Sequence, residues 1–90
     1  MSNKRNLKSA INSICKSLAA EAMAASLDSH SQNNEDVDAI LTSIIILNND
    51  YIRRISHPEP GIEQIKYFKD VINSFKKHIT EIVDQINSLN

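Results

Sequence analysis

The most constraining feature of this sequence is an apolar pattern in its C-terminal third. Eight apolar residues recur there at alternating spacings of three and four positions, namely Ile65, Phe68, Ile72, Phe75, Ile79, Ile82, Ile86 and Leu89. This spacing places all eight on one face of an α-helix, whereas the opposite face is polar. The pattern predicts a long heptad-patterned helix over about residues 60–89, which needs neighbouring helices to cover its apolar face.

Two segments of helix-breaking residues divide the rest of the chain. Residues 28–34 are all polar, and residues 57–61 contain both prolines and the glycine. Pro58 disfavours helix at His57, and Pro60 is tolerated only in the first turn of a helix. We therefore predict a first helix over about residues 3–27 and a second over about 35–56. Short connections make consecutive helices antiparallel, so residues 1–90 form one all-α domain, an up-down-up three-helix bundle.

The composition argues against several functional classes. Gly61 is the only glycine, which disfavours nucleotide-binding loops because they depend on residues with positive φ. The net charge is −1 and tryptophan is absent, so a nucleic-acid partner is not expected. Cys15 is the only cysteine, so no internal disulfide forms. The apolar runs are too short to cross a membrane, and we expect a cytoplasmic protein without a membrane partner.

Residue types that carry chemistry are present but scattered along the chain. His30, His57 and His78 lie in three different segments, none of them at metal-ligand spacing from another ligand type. Cys15 borders the apolar stripe of the first helix, where a cysteine usually behaves as a small hydrophobic residue. We therefore expect no catalytic residue, no metal and no cofactor, and a protein that is not an enzyme.

Two polar residues interrupt the apolar stripes of the first two helices. Asn48 lies within the stripe of the second helix, and Glu21 projects into that of the first. A core asparagine can define the register of packed helices at some loss of stability. Glu21, at the edge of its stripe, either reaches solvent or accepts a hydrogen bond from Thr42. In an antiparallel alignment Cys15 lies near the level of Asn48. The alternative is a small polar pocket formed by Glu21, Asn48 and Cys15, in a small-molecule-binding protein or an enzyme.

The first two helices also carry more apolar surface than a three-helix core buries. Ile45 and Ile46 extend beyond the stripe of the second helix, and the first helix adds further apolar positions. An excess of this kind is typical of helical proteins that associate with themselves or with a partner. With the loop between the second and third helices, the candidate interface consists of Ala20, Met23, Leu27, Ile45, Ile46, His57, Pro58, Glu59 and Pro60.

One end of the predicted bundle concentrates positive charge. The candidate basic pole consists of Lys4, Arg5, Lys8, Arg53 and Arg54. The two arginines suit the negative end of a helix dipole, whereas the three N-terminal cations lie at the positive start of the first helix, where cations are slightly unfavourable. This pole is a candidate docking site for an acidic partner or, less favourably, for a phosphate backbone.

A loop and the third helix carry a resemblance to a known family. The stretch Ile55-Ser56-His57-Pro58-Glu59-Pro60-Gly61, then Tyr67-Phe68-Lys69 and Glu81-Ile82-Val83-Asp84-Gln85-Ile86, resembles short uncharacterised all-helical proteins of Bacteroidetes-type bacteria. The resemblance implies a bacterial cytoplasmic protein and supplies no catalytic or binding residues. In size and helicity the chain is also similar to bacteriocin immunity proteins. We predict a non-enzymatic protein-interaction module, with a homodimer as one form of it.

Overall fold

The structure, a computed structural model, describes residues 4–28, 34–58, 60–61 and 63–89. It contains three helices, α1 (Lys4–Asp28), α2 (Asn34–Ser56) and α3 (Gln64–Asn87), and no strand within these ranges. The all-α three-helix bundle predicted from the sequence is confirmed. The helices alternate in direction, because Tyr51 near the end of α2 contacts Ser74 and His78 of α3, while Ile40 near the start of α2 borders the same groove as Leu89.

The predicted start of the third helix is wrong by four residues. Helix α3 begins at Gln64 rather than at Pro60, and Glu63 precedes it with φ −57° and ψ 126°. Gly61 has a φ of +90°, which turns the chain out of the helical conformation immediately after Pro60. Pro60 therefore belongs to the connecting turn. The other predicted helix boundaries agree with the structure to within two residues.

Apolar side chains from all three helices form one core. It contains Ile11, Cys15, Leu18, Ala22, Ile40, Ile44, Leu47, Tyr51, Ile55, Val71, Phe75, Ile82 and Ile86. The predicted stripe of α3 is wrong at its first position, because Ile65 is 76% exposed. Ile65 lies in the first turn of α3, at the end of the bundle where no neighbouring helix covers it. Val71, which the heptad pattern omitted, is buried instead, about 40° around the helix from Phe75.

Helices α1 and α2 pack closely, whereas α3 leaves a groove on each of its sides. Ala22 of α1 is fully buried and Ala19 packs against the core, because small side chains let neighbouring helices approach. The cleft left between α1 and α2 has a volume of only about 180 Å³. The α2–α3 groove measures about 600 Å³ and the α1–α3 groove about 480 Å³.

Candidate functional site

The outer surface of the α1–α2 pair carries the most exposed apolar side chains of α1. Met23 is 56% exposed and Leu27 is 85% exposed. Together with Ala20 they lie within about 100° of Ala19 around the helix, on the side that faces the α1–α2 cleft. On α2, Ile45 is 61% exposed and borders the same cleft. We name this surface, formed by Ala20, Met23, Leu27 and Ile45, the α1–α2 face.

Ile46, which the candidate interface groups with Ile45, does not lie on this surface. Ile46 is 63% exposed and lines the α2–α3 groove with His78 and Glu81. Consecutive residues of a helix point about 100° apart, and α1 and α3 pack on different flanks of α2. Ile45 and Ile46 are adjacent in sequence and nearly equally exposed, but they belong to two separate surfaces of the bundle.

The connection between α2 and α3 lies at the opposite end of the bundle from Met23 and Leu27. His57 and Pro60 are exposed and Pro58 is half-buried, while Glu59 lies outside the described residues. The backbone N–H of His57 donates to the carbonyl oxygen of Arg53 at 2.9 Å, which extends the last turn of α2. The predicted interface thus separates into the α1–α2 face, the isolated Ile46 and this terminal loop.

The structure separates the two residues of the predicted polar core. Glu21 is exposed, so it lies outside the candidate polar core and reaches solvent from the edge of the α1 stripe. It lies about 100° around α1 from the fully buried Ala22, on the side away from α2. Asn48 is half-buried, and its Oδ1 atom is shielded from solvent and has no hydrogen-bond partner among the described residues. Asn48 and Cys15 meet in the α1–α2 cleft, as the antiparallel alignment predicts, but Glu21 does not line it.

Cys15 is a buried thiol in the same cleft. Burial raises the pKa of the Cys15 thiol, because the surrounding apolar side chains disfavour the charged thiolate. The cleft is also lined by Asn12, Lys16, Ala19, Ile44 and Ile45. Cys15 is therefore held as a neutral thiol, and it contributes to the core as a small apolar side chain.

The residues of the candidate basic pole lie at the start of α1 and the end of α2, and one of these cations contacts other side chains of α2. Lys4, Arg5 and Arg53 are exposed, whereas Lys8 is half-buried. The Arg54 guanidinium lies 3.1 Å from a carboxylate oxygen of Asp50, one turn earlier on α2. Its central carbon also lies 4.8 Å from the centre of the Tyr51 ring. Arg54 thereby covers the outer edge of a core side chain.

A hydrogen-bonded group between α2 and α3 was not found from the sequence. Tyr51 is fully buried, and its hydroxyl lies 2.6 Å from Oγ of Ser74 and 2.8 Å from Nδ1 of His78. In the sequence pattern His78 is an isolated histidine, and no partner for it is predicted. The available signal was Tyr51 itself, because a tyrosine within a core stripe needs a partner for its hydroxyl.

The α2–α3 groove is lined by side chains of mixed chemistry. His78 borders it, as do Arg53, Asp50 and Glu81, over a floor that includes the buried Leu47. Because Nδ1 of His78 bonds to Tyr51 inside the bundle, Nε2 lies on the opposite edge of the ring. The α1–α3 groove is different, since its lining is almost entirely aliphatic and aromatic.

Within the ranges that the structure describes, no three histidine, cysteine, aspartate or glutamate side chains converge as metal ligands. None of the three helices, as far as they are described, combines the length and the apolar character needed to span a bilayer. No known protein family, no curated protein and no solved structure matches this chain.

Proposed function

We propose that this protein is a non-enzymatic interaction module that forms a homodimer through the α1–α2 face. The observation that supports this proposal is the exposure of Met23, Leu27 and Ile45 on one side of the α1–α2 pair. Single exposed apolar residues are ordinary on protein surfaces, whereas a contiguous group of large ones is typical of an interaction site. A bacterial cytoplasmic setting remains part of the proposal, as the family resemblance implies.

The outer side of the α1–α2 pair, which contains the α1–α2 face, has a size that suits a second copy of the same chain. Helices of 25 and 23 residues lying side by side present a face of about 35 by 20 Å, or roughly 700 Å² per copy. A specific interface of standard size buries about 800 Å² per partner. Nearly the whole length of the two helices would therefore take part in the contact.

The sequence of the α1–α2 face is also suited to pack against itself. A twofold axis brings the same patch from both copies together, so that patch must be complementary to itself. On α1, the small Ala20 precedes the long Met23 by three residues. A twofold axis perpendicular to α1 that passes between these two positions would set Met23 of each copy over Ala20 of the other.

Two neighbouring isoleucines of α2 provide a matched test of the proposed dimer. We expect the native protein at high micromolar concentration to have twice the 10.1 kDa monomer mass in sedimentation or light scattering. Ile45→Glu places a charge in the α1–α2 face and should yield the monomer, because a buried unpaired charge is unfavourable. Ile46→Glu changes an isoleucine of similar exposure on the other flank and should leave the dimer intact.

Three outcomes would contradict the proposed dimer. The first is a monomer mass for the native protein at every concentration measured. The second is loss of the dimer in the Ile46→Glu variant, and the third is its persistence after Ile45→Glu. Circular dichroism of both variants checks that the substitutions at these exposed positions leave the helical content unchanged.

A further inference from the structure

The α1–α3 groove is an apolar depression on a different side of the bundle from the proposed dimer face. Leu7 and Ile14 of α1 border it, and Ile72, Phe75 and Ile79 of α3 form its other wall. Ile14 remains 41% exposed on the side of α1 that borders this groove. The core therefore leaves an open apolar volume of about 480 Å³ that its own side chains do not fill.

Among the described residues that line this groove, Lys76 is the one cation. Lys76 of α3 is exposed and borders the groove, and no acidic residue is among the described residues that line it. The neighbouring Thr80 hydroxyl donates its hydrogen to the carbonyl oxygen of Lys76 at 3.0 Å. The Lys76 ammonium is thus the charged donor that the groove offers to the polar end of a ligand.

The length of the groove indicates a small ligand rather than a helix of a partner. Leu7 and Ile14 are seven residues apart on α1, which corresponds to about 10 Å along the helix. An extended saturated chain of eight to ten carbons has about the same length. An average helix of a globular protein is about 11–12 residues, or roughly 17 Å, and would extend beyond the groove.

We propose that the α1–α3 groove binds a free amphiphile with a medium-length alkyl chain and a carboxylate head group. The chain lies along the groove between α1 and α3, in contact with Ile14, Ile72 and Phe75, and the carboxylate pairs with the Lys76 ammonium. Small-molecule sites are commonly apolar clefts of about 300–1,000 Å³ with one or a few polar groups, and this groove has both properties. The site is separate from the α1–α2 face, so either proposal can fail without the other.

Calorimetric titration of the full-length protein with decanoate below its micelle-forming concentration tests the site. We expect saturable binding of one decanoate per chain, with a dissociation constant of about 10⁻⁵–10⁻⁴ M. Lys76→Gln should weaken decanoate binding by about three- to tenfold, because it removes the charge-assisted hydrogen bond. The same variant should bind decanol, which has no charged head group, as the native protein does.

Two variants on α1 test where the alkyl chain lies. Ile14→Gln should weaken decanoate binding at least about tenfold, because it replaces an apolar contact in the groove. Ala10→Phe, at an exposed position that also lines the groove, should abolish binding by filling the volume. Ile46→Gln, at an exposed position outside both this groove and the α1–α2 face, is the matched control and should bind decanoate with unchanged affinity.

Several results would overturn the proposal. They are the absence of saturable decanoate binding, unchanged affinity in both Ile14→Gln and Ala10→Phe, or an equal loss in the Ile46→Gln control. A further experiment distinguishes binding of a free amphiphile from binding to a membrane surface. Co-sedimentation with vesicles of phosphatidylcholine and phosphatidylglycerol, without binding of monomeric decanoate, would assign the groove to a lipid bilayer and contradict the proposal.

Discussion

The hydroxyl oxygen of Tyr51 in α2 lies 2.8 Å from Nδ1 of His78 in α3, inside an otherwise apolar bundle. The same hydroxyl lies 2.6 Å from Oγ of Ser74, one turn earlier on α3. The Tyr51 ring also meets Phe75 edge-on, with 5.2 Å between ring centres. One buried side chain therefore sets the position of α3 relative to α2, along the part of the bundle that borders the α2–α3 groove.

Removal of this buried hydroxyl should destabilise the bundle. Tyr51→Phe keeps the ring packing against Phe75 but leaves Ser74 and His78 without their partner. We expect the free energy of unfolding in urea to fall by about 1–2 kcal/mol.

Tyr67→Phe provides the matched control for this substitution. The Tyr67 hydroxyl donates to the carbonyl oxygen of Arg54 at 3.0 Å, in an exposed setting where water can replace it. We expect a loss of no more than about 0.5 kcal/mol. Equal losses in the two variants would show that the Tyr51 hydrogen bonds make no particular contribution.

The unpartnered amide oxygen of Asn48 predicts a substitution that stabilises the protein. A buried acceptor without a hydrogen bond is unfavourable, and Asn48→Leu replaces it with an apolar side chain beside Cys15 and Ile44. We expect the free energy of unfolding to rise by about 1 kcal/mol. Asn49→Leu, at the adjacent exposed position, should change it by less than about 0.5 kcal/mol. A loss of stability in Asn48→Leu would indicate that the amide has a partner that it needs.

The burial of Cys15 predicts slow reaction of its thiol in the native protein. Cys15 is 4% exposed, and burial raises its pKa, so little thiolate is present or accessible near neutral pH. Iodoacetamide should therefore modify the native chain at least about tenfold more slowly than the chain unfolded in urea at the same pH. Rapid modification of the folded protein would identify Cys15 as a reactive residue instead.

Because burial raises the pKa of the Cys15 thiol, we also expect the stability of the protein to depend on pH in the alkaline range. Below the ordinary pKa of a thiol, both the folded and the unfolded chains carry the proton, and the contribution of Cys15 is fully present. Because the folded pKa is raised, the unfolded chain loses its proton first, and the contribution is lost as the pH rises through the folded pKa. The native protein should lose stability relative to Cys15→Ala over this range, and parallel urea midpoints at every pH would contradict this.

Gly61, in the turn before α3, has a positive φ, so we expect substitutions there to strain the backbone. Its φ of +90° is strained for residues with a side chain, although a Cβ there would meet no atom within 4 Å. Gly61→Ala should therefore reduce the free energy of unfolding by about 1 kcal/mol through backbone strain alone. Gly61→Asn should lose less, because asparagine tolerates positive φ better than alanine. Urea denaturation of the two variants measures the difference.

The sequence predicted the helices well and the surfaces only in part. Periodicity located α1 and α2 because each contains a continuous apolar stripe between polar breaks. It failed for Ile65, since burial of a stripe residue depends on which neighbouring helices cover that level of the bundle. It also did not show on which flank of α2 each of the other helices lies, so it could not separate the surface of Ile45 from that of Ile46.

The sequence by itself determined that this chain forms three amphipathic helices, because the alternation of apolar and polar residues needs only the helical repeat. The tertiary structure decided how far α3 diverges from α1 and α2, which depends on the volumes of all facing side chains at once. Small residues such as Ala22 bring α1 and α2 together, whereas Tyr51 and Phe75 hold α3 through larger contacts. The grooves beside α3, and the amphiphile site proposed in one of them, exist because of that difference in packing.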